Sequence, residues 1–234
     1  MDWQVPDDWL KVIREAGLDG QFMALLLHGS RVPGWPEPPL PSSDYDILAI
    51  GEVGPREHRR VRCSLADLVV VSKRGFRGGQ LLSPETHVML KFGTRVGDWA
   101  WLDSTIDLSW AGADDALEDA KALLDAARMN WPDNPTSVCR LAMEAIRRCL
   151  TLRLAIGVVD EAPTWAIATR LYAADADMVS HVRMRTLEGC QPAKVHAWAC
   201  NALAGAQQAI ADVEPAVASY PRNASDDQLA VLVR

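Results

Sequence analysis

Near Gly112 the spacing of apolar residues changes, and this constrains the fold more than any other feature of the chain. Before it, short apolar runs alternate with Gly, Pro and charged clusters. After it, alanine and leucine dominate and apolar residues recur at helical spacing. A chain of 234 residues has room for one large domain or two small ones. The change in pattern therefore predicts two parts, 1–111 and 112–234. Together they form an α+β protein, with a mixed sheet flanked by helices in the first part and an α-helical bundle in the second.

In the first part, Asp7 to Ala16 reads as a short amphipathic helix with Trp9, Leu10 and Ile13 on one face. Phe22 to His28 is an apolar run ending at Gly29, as a buried strand would. Pro33, Pro36, Pro38, Pro39 and Pro41 then exclude helix interior and sheet, leaving a loop. Tyr45 to Ile50 is a second strand. Leu65 to Ser72 is a third, rich in β-branched residues. Gly75, Gly78 and Gly79 point to a flexible hairpin. Ser83-Pro84 opens a helix that Gly93 ends, and Thr105 to Ser109 is read as a last strand.

The second part predicts helices over 113–129, 136–156, 163–175, 178–189 and 192–213. Asn134-Pro135 starts the second of these and Gly157 stops it. The short links between them suggest an antiparallel bundle. Pro215 to Arg234 is only weakly patterned.

Charge narrows the function. The first 115 residues carry 12 basic and 17 acidic groups and the rest 12 and 14, for a net charge of −7. A protein that coats nucleic acid needs a concentrated positive surface, so extended nucleic-acid binding is not expected. No apolar run approaches the ~20 residues that span a bilayer, and no secretory signal is visible. A cytoplasmic protein without a membrane partner is expected. Cys63, Cys139, Cys149, Cys190 and Cys200 are odd in number and lack Cys-x-x-Cys spacing, which argues for free thiols over a metal cage or disulfide framework.

Three features at strand ends carry chemistry. Gly29-Ser30 follows the first strand, Asp44-Tyr45-Asp46 opens the second, and Asp67 lies in the third. Side chains at i and i+2 of a strand share a face, so Asp44 and Asp46 project together. Carboxylates that close repel unless protonated or bridged by a cation, and hard Mg²⁺ prefers such oxygen ligands. A third carboxylate from a neighbouring strand would let two ions sit ~3.5–4 Å apart, the arrangement used for in-line phosphoryl displacement. Glycine lets a backbone approach phosphate closely and Ser30 adds a hydroxyl; a helix starting there would add its dipole.

The strings Leu27-His28-Gly29-Ser30-Arg31, Ser43-Asp44-Tyr45-Asp46-Ile47-Leu48 and Ala66-Asp67-Leu68-Val69-Val70 resemble the DNA polymerase β-like nucleotidyltransferase superfamily. The resemblance covers residues 20–72 strongly and 73–110 weakly. It implies a catalytic domain over 1–111, with Asp44, Asp46 and Asp67 holding two Mg²⁺ ions. Asp67 would also orient or deprotonate the attacking hydroxyl. Gly29 and Ser30 would grip the phosphates of a nucleoside triphosphate. Arg31, next in sequence, either meets the γ-phosphate bidentately or is a solvated loop arginine. The helical part is similar, more loosely, to bacterial aminoglycoside nucleotidyltransferases, through Arg148 to Arg153 and Trp165 to Ala168. The implied activity moves a nucleoside monophosphate, with ATP the expected donor, to a hydroxyl of a small molecule. The long Pro- and Trp-rich loop before Asp44 departs from the pattern.

Other residues have two readings each. His28 is a strand-end histidine or a neighbour of the triphosphate. Arg56, Arg59, Arg60 and Arg62, with Lys73, Arg74 and Arg77, are solvated charges or the lining of a triphosphate channel. Glu144 is an acceptor-side general base, or a surface partner of Arg140 or Arg148. Asp98 and Asp103 beside Trp99 and Trp101 are a cationic-acceptor surface or ordinary core edge. The expected partners are a nucleoside triphosphate, a small-molecule acceptor and a second copy of the chain. A toxin–antitoxin-type enzyme modifying protein or RNA, and a non-catalytic nucleotide-binding module, are the alternatives.

Overall fold

The structure, a computed structural model, describes residues 7–15, 22–41, 43–51, 59–62, 66–102, 106–172 and 174–222; for 59–62 and Ala66 it describes the backbone alone. The described residues divide into two compact units between Leu108 and Ser109. The class is α+β, and the expected bundle residues 223–234 lie outside the described ones.

The first unit is built on a five-stranded mixed sheet. Its strands are β1 (Ala24–His28), β2 (Tyr45–Ile50), β3 (Arg59–Arg62), β4 (Ala66–Val71) and β5 (Thr94–Gly97), in the order β3-β4-β2-β1-β5. Only β2 and β4 pair in parallel. Strand alternation gives the sheet two faces. One face carries Leu25, Leu27, Ile47, Ala49, Leu68 and Val70. It is covered by Trp9, Val12 and Ile13 of α1 (Asp7–Glu15). The other carries Ala24, Leu26 and Ile50, packed with Phe76, Met89 and Leu90 from α2 (Lys73–Leu82) and α3 (Pro84–Phe92). In β1, β2 and β4 both faces are apolar over most of their length, and the charged residues of β2 and β4 stand near the strand starts.

Three elements differ from the sequence reading. The Gly75–Gly79 segment is helix, not hairpin. Ser72 caps α2 by accepting from the Gly75 N–H at 3.0 Å, and Phe76, Gln80 and Leu81 bury one side of it. Three glycines cost helix propensity of about 1 kcal/mol each. The cap and the burial of Phe76 against the sheet offset that. Among the described residues the last strand of this unit is β5, at Thr94–Gly97. Residues 106–109 are not strand, and 103–105 lie outside the described residues. Arg59–Arg62, read only as a basic run, is an edge strand antiparallel to β4.

The second unit holds α4 (Trp110–Met129), α5 (Pro135–Ala155), α6 (Trp165–Leu171), α7 (Ala176–Met184) and α8 (Pro192–Ala218). Caps set their starts. Ser109 accepts from Gly112, Asn134 from Ser137, Thr164 from Ile167, and Asp175 from Asp177 and Met178. The Ser109 cap starts α4 at Trp110, ahead of the expected 113. Gly157, at φ +75°, follows α5. Helix α5 packs against both α4 and α8 and is buried on most sides. The buried residues of α8 include the small Ala199, Ala202, Gly205, Ala206 and Ala209, which permit close approach of its neighbours. Helix α8 continues past the expected end at 213 with Pro215 inside its last turn.

Candidate functional site

Register places the acidic residues. His28 is the antiparallel partner of Asp46, and Asp46 the parallel partner of Asp67. The three form one row across β1, β2 and β4, on the face that carries Leu26 and Ile50, at the end where that apolar face stops. Asp44 stands one residue before β2. One carboxylate oxygen from each of Asp44, Asp46 and Asp67 lies within 4.8 Å of the others. Asp44 is exposed and the other two are half-buried. The structure thus brings together all three carboxylates that the sequence singled out.

A divalent ion fits this donor set. The ligands are hard oxygens from three backbone positions. An octahedral ion with bonds of about 2.1 Å spans roughly 3 Å between adjacent ligands and 4.2 Å between opposite ones. The carboxylate oxygens, within 4.8 Å of one another, already stand close to that span. The neighbouring turn leaves the space open. Gly29 has φ +84°, and a Cβ there would collide with Asp46 Oδ2 and lie 3.1 Å from its Cγ. The carboxylate occupies room that only glycine provides.

His28 adds no positive charge to the row at neutral pH. Burial pushes its imidazole from 6.5 down to about 4, and the Asp67 charge opposes that shift.

The Gly29-Ser30 turn is not a helix start. Val32 donates to the Gly29 carbonyl at 3.2 Å and Trp35 to the Val32 carbonyl at 3.0 Å, so residues 29–34 run as turns. The anion dipole that a helix would supply is therefore absent at Ser30. The Ser30 and Ser43 hydroxyls lie 3.3 Å apart, and Ser43 Oγ also accepts from the Leu40 N–H at 3.1 Å.

Arg31 has work in the loop. Its Nε donates to the Ser43 carbonyl at 2.7 Å, one Nη reaches the Pro41 carbonyl at 3.5 Å, and the guanidinium lies 4.8 Å from the Tyr45 ring centre. Tyr45 in turn donates to Asp8 at 2.9 Å and meets Trp9 edge-on. The proline-rich loop is thereby tied down at both ends beside the carboxylates. Ser43 and Tyr45 stand in the quoted motif, yet Ser30, Arg31 and Asp8, which they meet, lie in segments that no local spacing connects.

Most of the remaining candidates lie elsewhere. Asp98 donates its N–H to the Met23 carbonyl, at the other end of β1 from His28. Trp99 and Trp101 stack at 5.7 Å, and Phe76 meets both edge-on. Lys73 sits over the Trp101 ring and Arg77 donates to the Trp101 carbonyl. These residues close the apolar end of the sheet. Asp103 and Arg56 lie outside the described residues, and Arg59, Arg60 and Arg62 are on β3, where Arg62 is the antiparallel partner of Asp67 and so extends the acidic row. In the second unit Glu144 pairs with Arg147 at 3.3 Å and Arg148 at 3.4 Å, all substantially exposed. Cys139 and Cys149 are buried free thiols that burial pushes up to about 11 and about 12. Cys190 is half-buried, Cys200 exposed, and Cys63 outside the described residues. Among the described residues no helix is long and apolar enough to cross a membrane.

No family model matches the chain, and a search of curated proteins finds no match. Among solved structures, the chain is similar to a nucleotidyltransferase-like protein from Exiguobacterium sibiricum 255-15. The identity is 12%, the TM-score 0.40, and the match covers 90% of this chain and 76% of that one. A likeness that remote assigns no activity, so the reading of the site rests on its own geometry.

Proposed function

We propose that this protein is a divalent-metal-dependent nucleotidyltransferase of the DNA polymerase β-like kind. It moves a nucleoside monophosphate from a triphosphate, ATP by preference, to a hydroxyl of a small molecule such as an aminoglycoside. The observation that carries this reading is the convergence of Asp44, Asp46 and Asp67 beside the Gly29-Ser30 turn.

Asp44, Asp46 and Asp67 are the residues that would hold Mg²⁺. Bound there, Mg²⁺ supplies neutralisation of phosphate charge and acidification of the attacking hydroxyl. The protein's own part is positioning. The Gly29 backbone and the Ser30 hydroxyl bind the β- and γ-phosphates. Asp67 orients the acceptor hydroxyl and takes its proton on a carboxylate oxygen. The acceptor oxygen bonds to the α-phosphorus as the bond from that phosphorus to the β-phosphate bridge breaks, and pyrophosphate leaves. Catalysis of this type depends on alignment and charge stabilisation more than on covalent chemistry by the enzyme. A cationic small-molecule acceptor suits a chain with net charge −7.

The test is transfer from α-labelled nucleotides with Mg²⁺ into a bacterial extract supplemented with aminoglycosides. Products are resolved into small-molecule, RNA and protein fractions, and Asp46→Asn is run in parallel. The proposal expects label in the small-molecule fraction that the variant does not produce. Label in protein or RNA would favour the toxin–antitoxin type, and equal label from the variant would refute the site.

A further inference from the structure

Ser43 carries no role in the reading above, yet it is held at both ends. Arg31 Nε grips its carbonyl at 2.7 Å, and the Leu40 N–H donates to its hydroxyl oxygen at 3.1 Å. That same oxygen accepts from the Ser30 O–H at 3.3 Å. We infer that Ser43 is a positioning residue, which orients the Ser30 hydroxyl toward the triphosphate and couples the proline-rich loop to phosphate binding. This inference rests on the proposed nucleotide site.

The argument is one of donors and acceptors. A hydroxyl has one proton to give and two lone pairs. Phosphate oxygens accept, so a bound triphosphate requires the Ser30 proton. In the structure Ser30 O–H donates to Ser43 Oγ; with phosphate bound that bond must reverse and run from the Ser43 O–H to Ser30 Oγ. The amide of Leu40 already occupies one lone pair of Ser43 Oγ, which leaves the Ser43 proton free to donate. The chain then reads Leu40 N–H to Ser43, Ser43 O–H to Ser30, Ser30 O–H to phosphate. Dipoles in such a chain point the same way and polarise one another toward the anion. Leu40 lies in the loop between Pro39 and Pro41, whose rings restrict the backbone around it. The loop therefore presents a fixed N–H, and Arg31 fixes the carbonyl of the residue that receives it.

The experiment measures Mg²⁺·ATP affinity by titration calorimetry, with inorganic triphosphate as a second probe. It compares wild type, Ser30→Ala, Ser43→Ala, Ser43→Thr and the double Ala variant, with melting temperature recorded for each. Ser30→Ala should weaken binding roughly tenfold or more, as expected for loss of a hydrogen bond to a charged group. Ser43→Ala should weaken it several-fold, Ser43→Thr should restore most of it, and Ser43→Ala should add under about twofold to Ser30→Ala. An independent, additive effect of Ser43→Ala, or none, with wild type binding normally, overturns the inference alone. Absence of binding by a folded wild type overturns the underlying site as well.

Discussion

Gly29 and Asp46 share one volume: the space that a Gly29 side chain would fill holds the Asp46 carboxylate. A carboxylate can swing away from an added methyl group, but it would then leave Asp44 and Asp67. Gly29→Ala should therefore separate fold from function. Its φ of +84° makes any side chain costly by about 1–2 kcal/mol. The protein should remain folded, with a modestly lowered melting temperature, and lose its response to divalent cations. Unchanged cation binding by Gly29→Ala would show that the close approach has no role in the site.

His28 makes stability depend on acid in a known direction. Its folded-state value, about 4, lies below the unfolded 6.5, so the unfolded chain binds more protons between those values. The contribution is present above pH 6.5 and is lost as pH falls toward 4. A shift of that size corresponds to roughly 3 kcal/mol. Urea unfolding of the metal-free protein at pH 7 and pH 4.5 should show a larger acid loss in wild type than in His28→Gln. Parallel losses would mean that His28 is hydrated in the folded protein.

Arg31→Lys keeps the charge and removes the geometry. Lysine has no Nε donor for the Ser43 carbonyl and no planar group for the Tyr45 ring. The expected cost is about 1–2 kcal/mol, accompanied by faster protease cleavage within residues 32–41. A wild-type cleavage pattern would argue that the loop is held by its prolines alone.

Helix α8 offers a contest between two effects at Gly205. Alanine there gains about 1 kcal/mol in helix propensity. Its Cβ, however, would stand 2.7 Å from the Tyr172 carbonyl oxygen and 3.3 Å from Tyr172 Cβ. Backbone cannot yield as a side-chain tip can, so Gly205→Ala should destabilise by about 1–3 kcal/mol in denaturant titration. A gain in stability would show that α8 and the Tyr172 segment shift apart easily.

What the sequence made legible follows the reach of local signals. Strands β1 and β2 and helix α3 were readable because apolar runs, Gly29, Ser83-Pro84 and Gly93 mark their ends. Asp44 and Asp46 were readable as a pair from their spacing. Helix α2 was not, because its three glycines argue against helix while the burial of Phe76 that favours it is tertiary. Strand β5 was not, since only Val96 of its four residues is buried and no alternation shows. The row His28–Asp46–Asp67 depends on the register of three strands, which no single strand encodes. Ser43 was hidden for a similar reason, because its partners Ser30 and Arg31 stand at the far end of the loop.

The central claim is that Asp44, Asp46 and Asp67 form a divalent-cation site, and Mn²⁺ binding followed by electron paramagnetic resonance tests it most directly. Wild type should take up Mn²⁺, more tightly with ATP present, and Mg²⁺ should compete. Asp67→Asn and Asp46→Asn should remain folded and lose the signal of the bound ion. Equal uptake of Mn²⁺ by wild type and both variants, or none by folded wild type with ATP, would contradict the account.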